Sequence, residues 1–219
     1  MKLQTFVIGC ALALTMFLFA KQRHAATIPT EFRSIVDLTR SVDLVDPSHL
    51  LQHAAAEAQG TFIEAPAQYS PALWTVDRIP ARRLIAPLVV LDIRESVKHD
   101  PQHKISVEDI ANWEHVNGQI PMDAIAIART GLPASAKQTN FTGYSEDAAK
   151  FLVEGRNVLA LGADTRATID QYTLSHSVYH LENVANLDQV PGSGAVVVVS
   201  PMKLEGKTAG PARVLALLR

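Results

Sequence analysis

The sequence predicts an α/β protein, a compact single domain with a mixed β-sheet core flanked by helices. Three observations carry that expectation. Short apolar, β-branched runs bounded by turn residues recur along the chain and read as buried strands. Segments with helix caps and a 3.6-residue apolar period lie between several of them. The two kinds alternate instead of forming separate blocks, as they do when helices cross over a sheet.

In chain order, Ser34 to Leu38 and Thr61 to Glu64 are short strand candidates. Between them Asp46 is placed to cap a helix, with Pro47 at its first position, running through the alanines to Gly60. The run Leu84 to Ile93 reads as a buried strand. Ser106 with Asp109 three residues on forms a variant capping box; Ile110 and Trp113 share a face, and Gly118 closes the helix before Pro121. Ala124 to Ala128 is the next strand. Ser145 caps a further helix with Glu146 and Asp147 in its first turn, Ala148, Phe151 and Leu152 as its stripe, and Gly155 expected past its end. Strands then follow at Val158 to Leu161, Val178 to Leu181, Ala195 to Val199 and Val214 to Leu218.

Composition narrows the functional classes. With 219 residues, 47% hydrophobic and 19% charged, the chain is neither disordered, collagenous nor disulfide-built. Twenty Lys and Arg against 22 Asp and Glu give a net charge of -2, and no basic run occurs, so nucleic acid is not expected as a partner. The single cysteine, Cys10, excludes an internal disulfide and multi-cysteine zinc patterns, so any metal would need His and carboxylate ligands. No Gly-x-Ser-x-Gly elbow and no phosphate loop occur.

The first 26 residues have the layout of a secretory signal. Lys2 precedes an apolar or small run from Phe6 to Ala20, followed by Lys21, Gln22, Arg23 and His24. As a helix that run spans roughly 22 Å, short of a hydrocarbon core of about 30 Å. Export to the periplasm or medium is expected, with membrane contact only through this segment. No good small-x-small cleavage site follows, so an uncleaved N-terminal anchor is the alternative. Residues 27–219 form the expected domain. Losing Lys2, Lys21 and Arg23, and no acid, leaves it at a net charge of -5.

A series of short blocks makes the sequence specific. They are Ile35-Val36-Asp37-Leu38-Thr39, Gly60-Thr61, Ala65-Pro66, Leu88-Val89-Val90-Leu91-Asp92, Arg129-Thr130-Gly131 and Gly143-Tyr144-Ser145. Further on come Gly162-Ala163-Asp164-Thr165, Leu181-Glu182-Asn183-Val184-Ala185-Asn186-Leu187, Pro201-Met202-Lys203-Leu204-Glu205-Gly206 and Gly210-Pro211-Ala212-Arg213. In this order they resemble the cyclase family that includes bacterial kynurenine formamidases and isatin hydrolases. The resemblance implies a compact α/β fold, usually a homodimer or larger oligomer, that hydrolyses an amide or lactam-type bond at a zinc or manganese ion. In such chemistry neutral imidazoles and carboxylates hold an ion that lowers the pKa of bound water to about 7, and a nearby His moves a proton to the leaving nitrogen.

The family's ligands and catalytic histidine come mostly from a stretch written H-x-G-T-H-x-D-x-P-x-H. Here it reads Ala58, Gln59, Gly60, Thr61, Phe62, Ile63, Glu64, Ala65, Pro66, Ala67, Gln68. Ala58 and Phe62 stand where two ligand histidines are expected, and neither side chain offers a lone pair. Glu64 replaces an aspartate ligand with a longer carboxylate. Gln68 replaces the catalytic histidine, and an amide does not exchange a proton near pH 7. Glu182 matches the family's ligand glutamate, and counting back about a dozen residues to its paired histidine lands near Asp170. By resemblance Glu64, Glu182 and Asp170 are thus the remaining metal-ligand candidates.

His180 lies two residues before Glu182 on a probable strand, which puts both on one face. With Glu64 they make a candidate relocated His-plus-two-carboxylate site; the plainer alternative is a hydrogen-bonded strand histidine. Glu182 itself reads either as a ligand or as a buried carboxylate needing hydrogen bonds. His49, His53 and Glu57 share a stripe of the helix predicted from Asp46. A solvated polar face is the better account of them, because Leu50 and Leu51 replace the glutamate of a zinc-protease helix. His176 is expected in a turn.

The expectation is a cyclase-family protein whose inherited reaction is metal-dependent hydrolysis of an amide such as N-formyl-kynurenine, and which has lost that reaction. It is expected to hold no cofactor. It would instead bind a small aromatic amide-like ligand, with Phe62 adding apolar surface, or pair with an active homologue or a second copy of itself. The alternative is an active amidohydrolase with one divalent ion, zinc or manganese, at Glu64, Glu182 and His180 or Asp170.

Overall fold

In a computed structural model, residues 32–41, 60–132, 143–166 and 171–219 are described. Among them eight strands and four α-helices follow one another: β1 (Ser34–Asp37), β2 (Phe62–Glu64), β3 (Ile85–Asp92), α1 (Arg94–His99), α2 (Val107–Asn117) and β4 (Ile125–Arg129). Then come α3 (Glu146–Arg156), β5 (Ala160–Ala163), α4 (Gln171–Ser175), β6 (Tyr179–Glu182), β7 (Val196–Pro201) and β8 (Ala209–Leu218). The helix predicted from Asp46, the N-terminal apolar run and Asp170 lie outside the described residues. No helix among the described residues is long and apolar enough to cross a membrane.

The sheet is mixed, as expected. Strands β3, β4, β5 and β6 pair in parallel, and every other pairing is antiparallel. The strand order is β1-β8-β2-β6-β5-β4-β3-β7, and β7 also pairs with β8. The sheet therefore closes on itself through seven strands, which removes their edges, and β1 adds beside β8. Closure depends on the length of β8. The sequence predicts a strand only from Val214. In fact the strand begins at Ala209: Ala209 to Pro211 pair with β2, and Ala212 to Leu217 pair with β7. Proline, lacking an N–H, is tolerated at such a junction.

Alternation along the strands divides the core in two. Ile63, Leu88, Val90, Ile125, Ile127, Tyr179, Leu181, Val197 and Val214 fill the inside of the closed sheet. Val89, Leu91, Ala126, Ala128, Leu161 and Ala163 face outward and pack with Ile110 of α2 and Ala148, Ala149 and Leu152 of α3. Gly162 sits where β5 and β6 approach closely. A Cβ there would lie 2.9 Å from both the Cβ and the carbonyl oxygen of Leu181, which accounts for glycine inside a strand.

The predicted caps are largely in place. Ser106 and Asp109 make a reciprocal capping box on α2, closed by Gly118. The Ser145 side chain accepts from the Ala148 N–H at the start of α3. Gly155 does not end α3. The helix continues through Arg156, and Asn157 takes the left-handed conformation at φ 49°, which asparagine tolerates better than most residues. Arg156 is held there by a two-pronged pair with Glu114 of α2, at 2.8 and 2.9 Å.

Candidate functional site

β2 lies between β6 and β8, and its register sets the site. Phe62 stands opposite Glu182, and Glu64 opposite His180. Residues directly opposite on antiparallel strands share a face. With Ile63, Tyr179 and Leu181 turned into the closed sheet, Phe62, Glu64, His180 and Glu182 come together on its outer, helix-bearing side. Leu161 of β5, opposite His180, continues the same face. All four side chains are buried: Phe62 and Glu64 are 3% exposed, Glu182 6% and His180 7%.

Burial governs their charges. The Glu64 carboxyl is pushed up to about 7, first by burial and then by the neighbouring charge of Glu182, against a smaller opposing pull from Arg166. Its Oε2 has no hydrogen-bond partner among the described residues. A buried carboxyl without donors is better tolerated protonated than charged. Glu182 is placed differently, because Arg166 Nε lies 3.6 Å from its Oε2. His180 is pushed down to about 4 by burial. Its Nε2 lies 2.6 Å from the Thr173 hydroxyl of α4, so the imidazole is neutral and already engaged.

Two further interactions frame this face at the carboxyl ends of the parallel strands. After β5, Asp164 accepts hydrogen bonds from the Thr130 N–H, the Thr130 hydroxyl at 2.6 Å and the Gly131 N–H at 2.9 Å, all from the segment after β4. The Arg129-Thr130-Gly131 and Gly162-Ala163-Asp164-Thr165 blocks thus form one clamp. At the other side the Thr61 hydroxyl donates to the Asn183 carbonyl at 2.8 Å and accepts from the Arg40 N–H. The Asn183 amide in turn donates to the Gly60 carbonyl at 3.0 Å. The Gly60-Thr61 and Glu182-Asn183 blocks therefore stitch β2 to β6 and set the register that brings the two glutamates together.

The remaining candidates fall elsewhere. Gln68 is exposed at the end of the 3-10 turn Pro66–Gln68 that follows β2. His176 is in the turn after α4, stacked 4.2 Å from Tyr172. Asp170, Ala58, His49, His53 and Glu57 lie outside the described residues. Arg166 and Thr173 were not anticipated. Arg166 carries a signal in retrospect: it is a cation directly after β5, beside the strand that ends in Glu182.

Among the described residues the donor set falls short of what a catalytic divalent ion needs. Three ligands from His and carboxylates are the usual minimum, and Ala58 and Phe62 contribute none. His180 spends the nitrogen nearest α4 on Thr173, Glu64 favours its proton, and Glu182 has a guanidinium beside it. Among the described residues no group of three or more His, Cys, Asp or Glu side chains is arranged to hold a metal. The candidate relocated centre thus has Glu64, Glu182 and His180 on one face without a metal-holding arrangement among the described residues, and Asp170 lies outside them.

Comparison with known proteins places this geometry. The Cyclase family model matches residues 14–170, well over half of the chain. An isatin hydrolase from Roseibium aggregatum is 27% identical over 191 residues, covering 74% of this chain and 72% of the relative. The structure of isatin hydrolase A from Labrenzia aggregata, bound to benzyl benzoate, superposes with a TM-score of 0.70 at 26% identity, over 84% of this chain and 93% of that one. A structure described as a potential metal-dependent hydrolase with cyclase activity shares the fold, with a TM-score of 0.60 at 21% identity, over 85% of this chain and 98% of that one. The match over residues 14–170 and the shared fold lead to one assignment: the chain belongs to the Cyclase family.

Proposed function

We propose that this protein is a cyclase-family member that no longer carries out metal-dependent amide hydrolysis and acts by binding, its ligand being a small aromatic amide-like molecule. One observation carries the reading: the signature positions that supply metal and proton-transfer groups hold Ala58, Phe62 and Gln68, while Arg166 stands beside Glu182. Hydrolysis at neutral pH needs an activated water and a group to protonate the leaving nitrogen. Neither Phe62 nor Gln68 supplies one, and His180, neutral and held by Thr173, is a poor proton donor near pH 7, which leaves the buried Glu64 carboxyl as the protonated group of this face without an activated water to serve.

Two features support ligand binding on this face. The Glu64 Oε2 is buried without a hydrogen-bond partner among the described residues, and a protonated carboxyl there is a donor suited to an amide or lactam carbonyl. The isatin hydrolases similar to this chain act on an aromatic lactam by name. The test is turnover of isatin and of N-formyl-kynurenine by the purified full chain, with manganese and separately with zinc. No hydrolysis above the metal-only background is expected. Turnover lost in Glu182→Gln would refute the reading and restore the amidohydrolase.

A further inference from the structure

The Glu64 and Glu182 pair raises an electrostatic problem that a divalent ion would ordinarily solve. Two carboxyl groups share one buried sheet face, and burying charge without compensation is unfavourable by several kcal/mol per ion. The imidazole on the same face does not supply the missing charge, since His180 is directed to the Thr173 hydroxyl. Across the face Phe62 brings only a phenyl ring beside Glu182. Among the described residues a cation is placed against these carboxylates by Arg166, whose Nε is 3.6 Å from Glu182 Oε2 and whose side chain is 35% exposed.

We propose that Arg166 is the resident cation of this site: its guanidinium, in place of a divalent ion, neutralises Glu182 and allows both glutamates to stay on the face between β2 and β6. Arg166 is thus a positioning residue. It keeps Glu182 charged and leaves Glu64 as the group with an uncommitted oxygen. A guanidinium suits this task because it is weakly hydrated, always charged, and fixed in orientation by its planar fork. The inference rests on the metal-free reading above and adds to it the reason that such a site is stable.

Thermal unfolding of the full chain tests it with four proteins: the unaltered chain, Arg166→Gln, Glu182→Gln, and both changes together. Each is measured in EDTA and with manganese or zinc. Arg166→Gln is expected to lower Tm by roughly 5–10 °C, because it leaves Glu182 buried beside Glu64 without its cation. The double variant should lie closer to the unaltered chain than Arg166→Gln does, and Arg166→Lys should fall between. Manganese and zinc should leave the Tm of the unaltered chain unmoved.

If Arg166→Gln yields no folded protein, recovery of folded protein by the added Glu182→Gln counts as the same result, and its absence as the contradiction. Losses that simply add, or no loss in Arg166→Gln, would overturn the role of Arg166 while leaving the metal-free reading intact. A rise in Tm of the unaltered chain with either ion would overturn both.

Discussion

Replacing Glu64 with glutamine is expected to stabilise the protein at pH 8 by about 3 kcal/mol, although it removes a residue of the signature stretch. Burial, and then the neighbouring charge of Glu182, pushes the Glu64 carboxyl up to about 7 from an ordinary value of 4.5. Its contribution to stability is fully present below pH 4.5, declines as pH rises, and is gone above about 7, where the buried group must ionise. Glutamine mimics the protonated acid at every pH and so escapes that loss.

His180 acts in the opposite sense. Its folded value is depressed to about 4 from 6.5, so its contribution is present above 6.5 and lost as pH falls through 4. Between about 4.5 and 6.5 the two slopes oppose each other, and the unaltered protein should show a nearly flat stability profile. Glu64→Gln should unmask the histidine, giving stability that rises with pH across that window. Urea unfolding at pH 4.5, 6.5 and 8 checks this. Equal stability of the two proteins at pH 8 would mean that Glu64 is ionised without cost, and the burial account of the site would fail.

The second large effect is expected at Asp164. Asp164→Ala should cost about 3 kcal/mol, since hydrogen bonds to a charged acceptor are each worth about 1.5–3 kcal/mol and the buried donors lose theirs. Thr130 is 3% exposed, so its N–H and hydroxyl have little access to water once the carboxylate is gone. Asp164→Asn should lose roughly half as much, because its amide keeps one acceptor oxygen. Denaturant midpoints of the two variants decide between this clamp and a merely exposed loop residue, for which both would match the unaltered chain.

The parts that could be read from the sequence are those written locally. The capping box of α2 and the serine cap of α3 are patterns of four consecutive residues, and they are found where predicted. Period-two alternation alone put His180 and Glu182 on one face. The signature stretch, read by resemblance, brought Glu64 and Phe62 beside them. What could not be read depends on partners distant in sequence. Asp164 meets Thr130 across 34 residues, and neither block reveals that its role is to bond the other. The closure of the sheet depends on β8 pairing with β2 from Ala209 to Pro211 and with β7 from Ala212 onward, both of them distant in sequence. Arg166 is invisible to a search for ligands, since a guanidinium is not one, and its meaning emerges only when β6 is laid beside β5. The end of α3 was misplaced for a simpler reason: glycine is the commoner helix stop, and here Asn157 took the left-handed position instead.

These observations share one claim, that the signature face of this cyclase-family fold is closed by its own protein groups. The metal content of the purified full chain tests it most directly, measured after incubation with manganese or zinc and removal of free ion. The account predicts far less than one ion per chain under either condition. About one tightly held ion per chain, lost on Glu182→Gln, would contradict it.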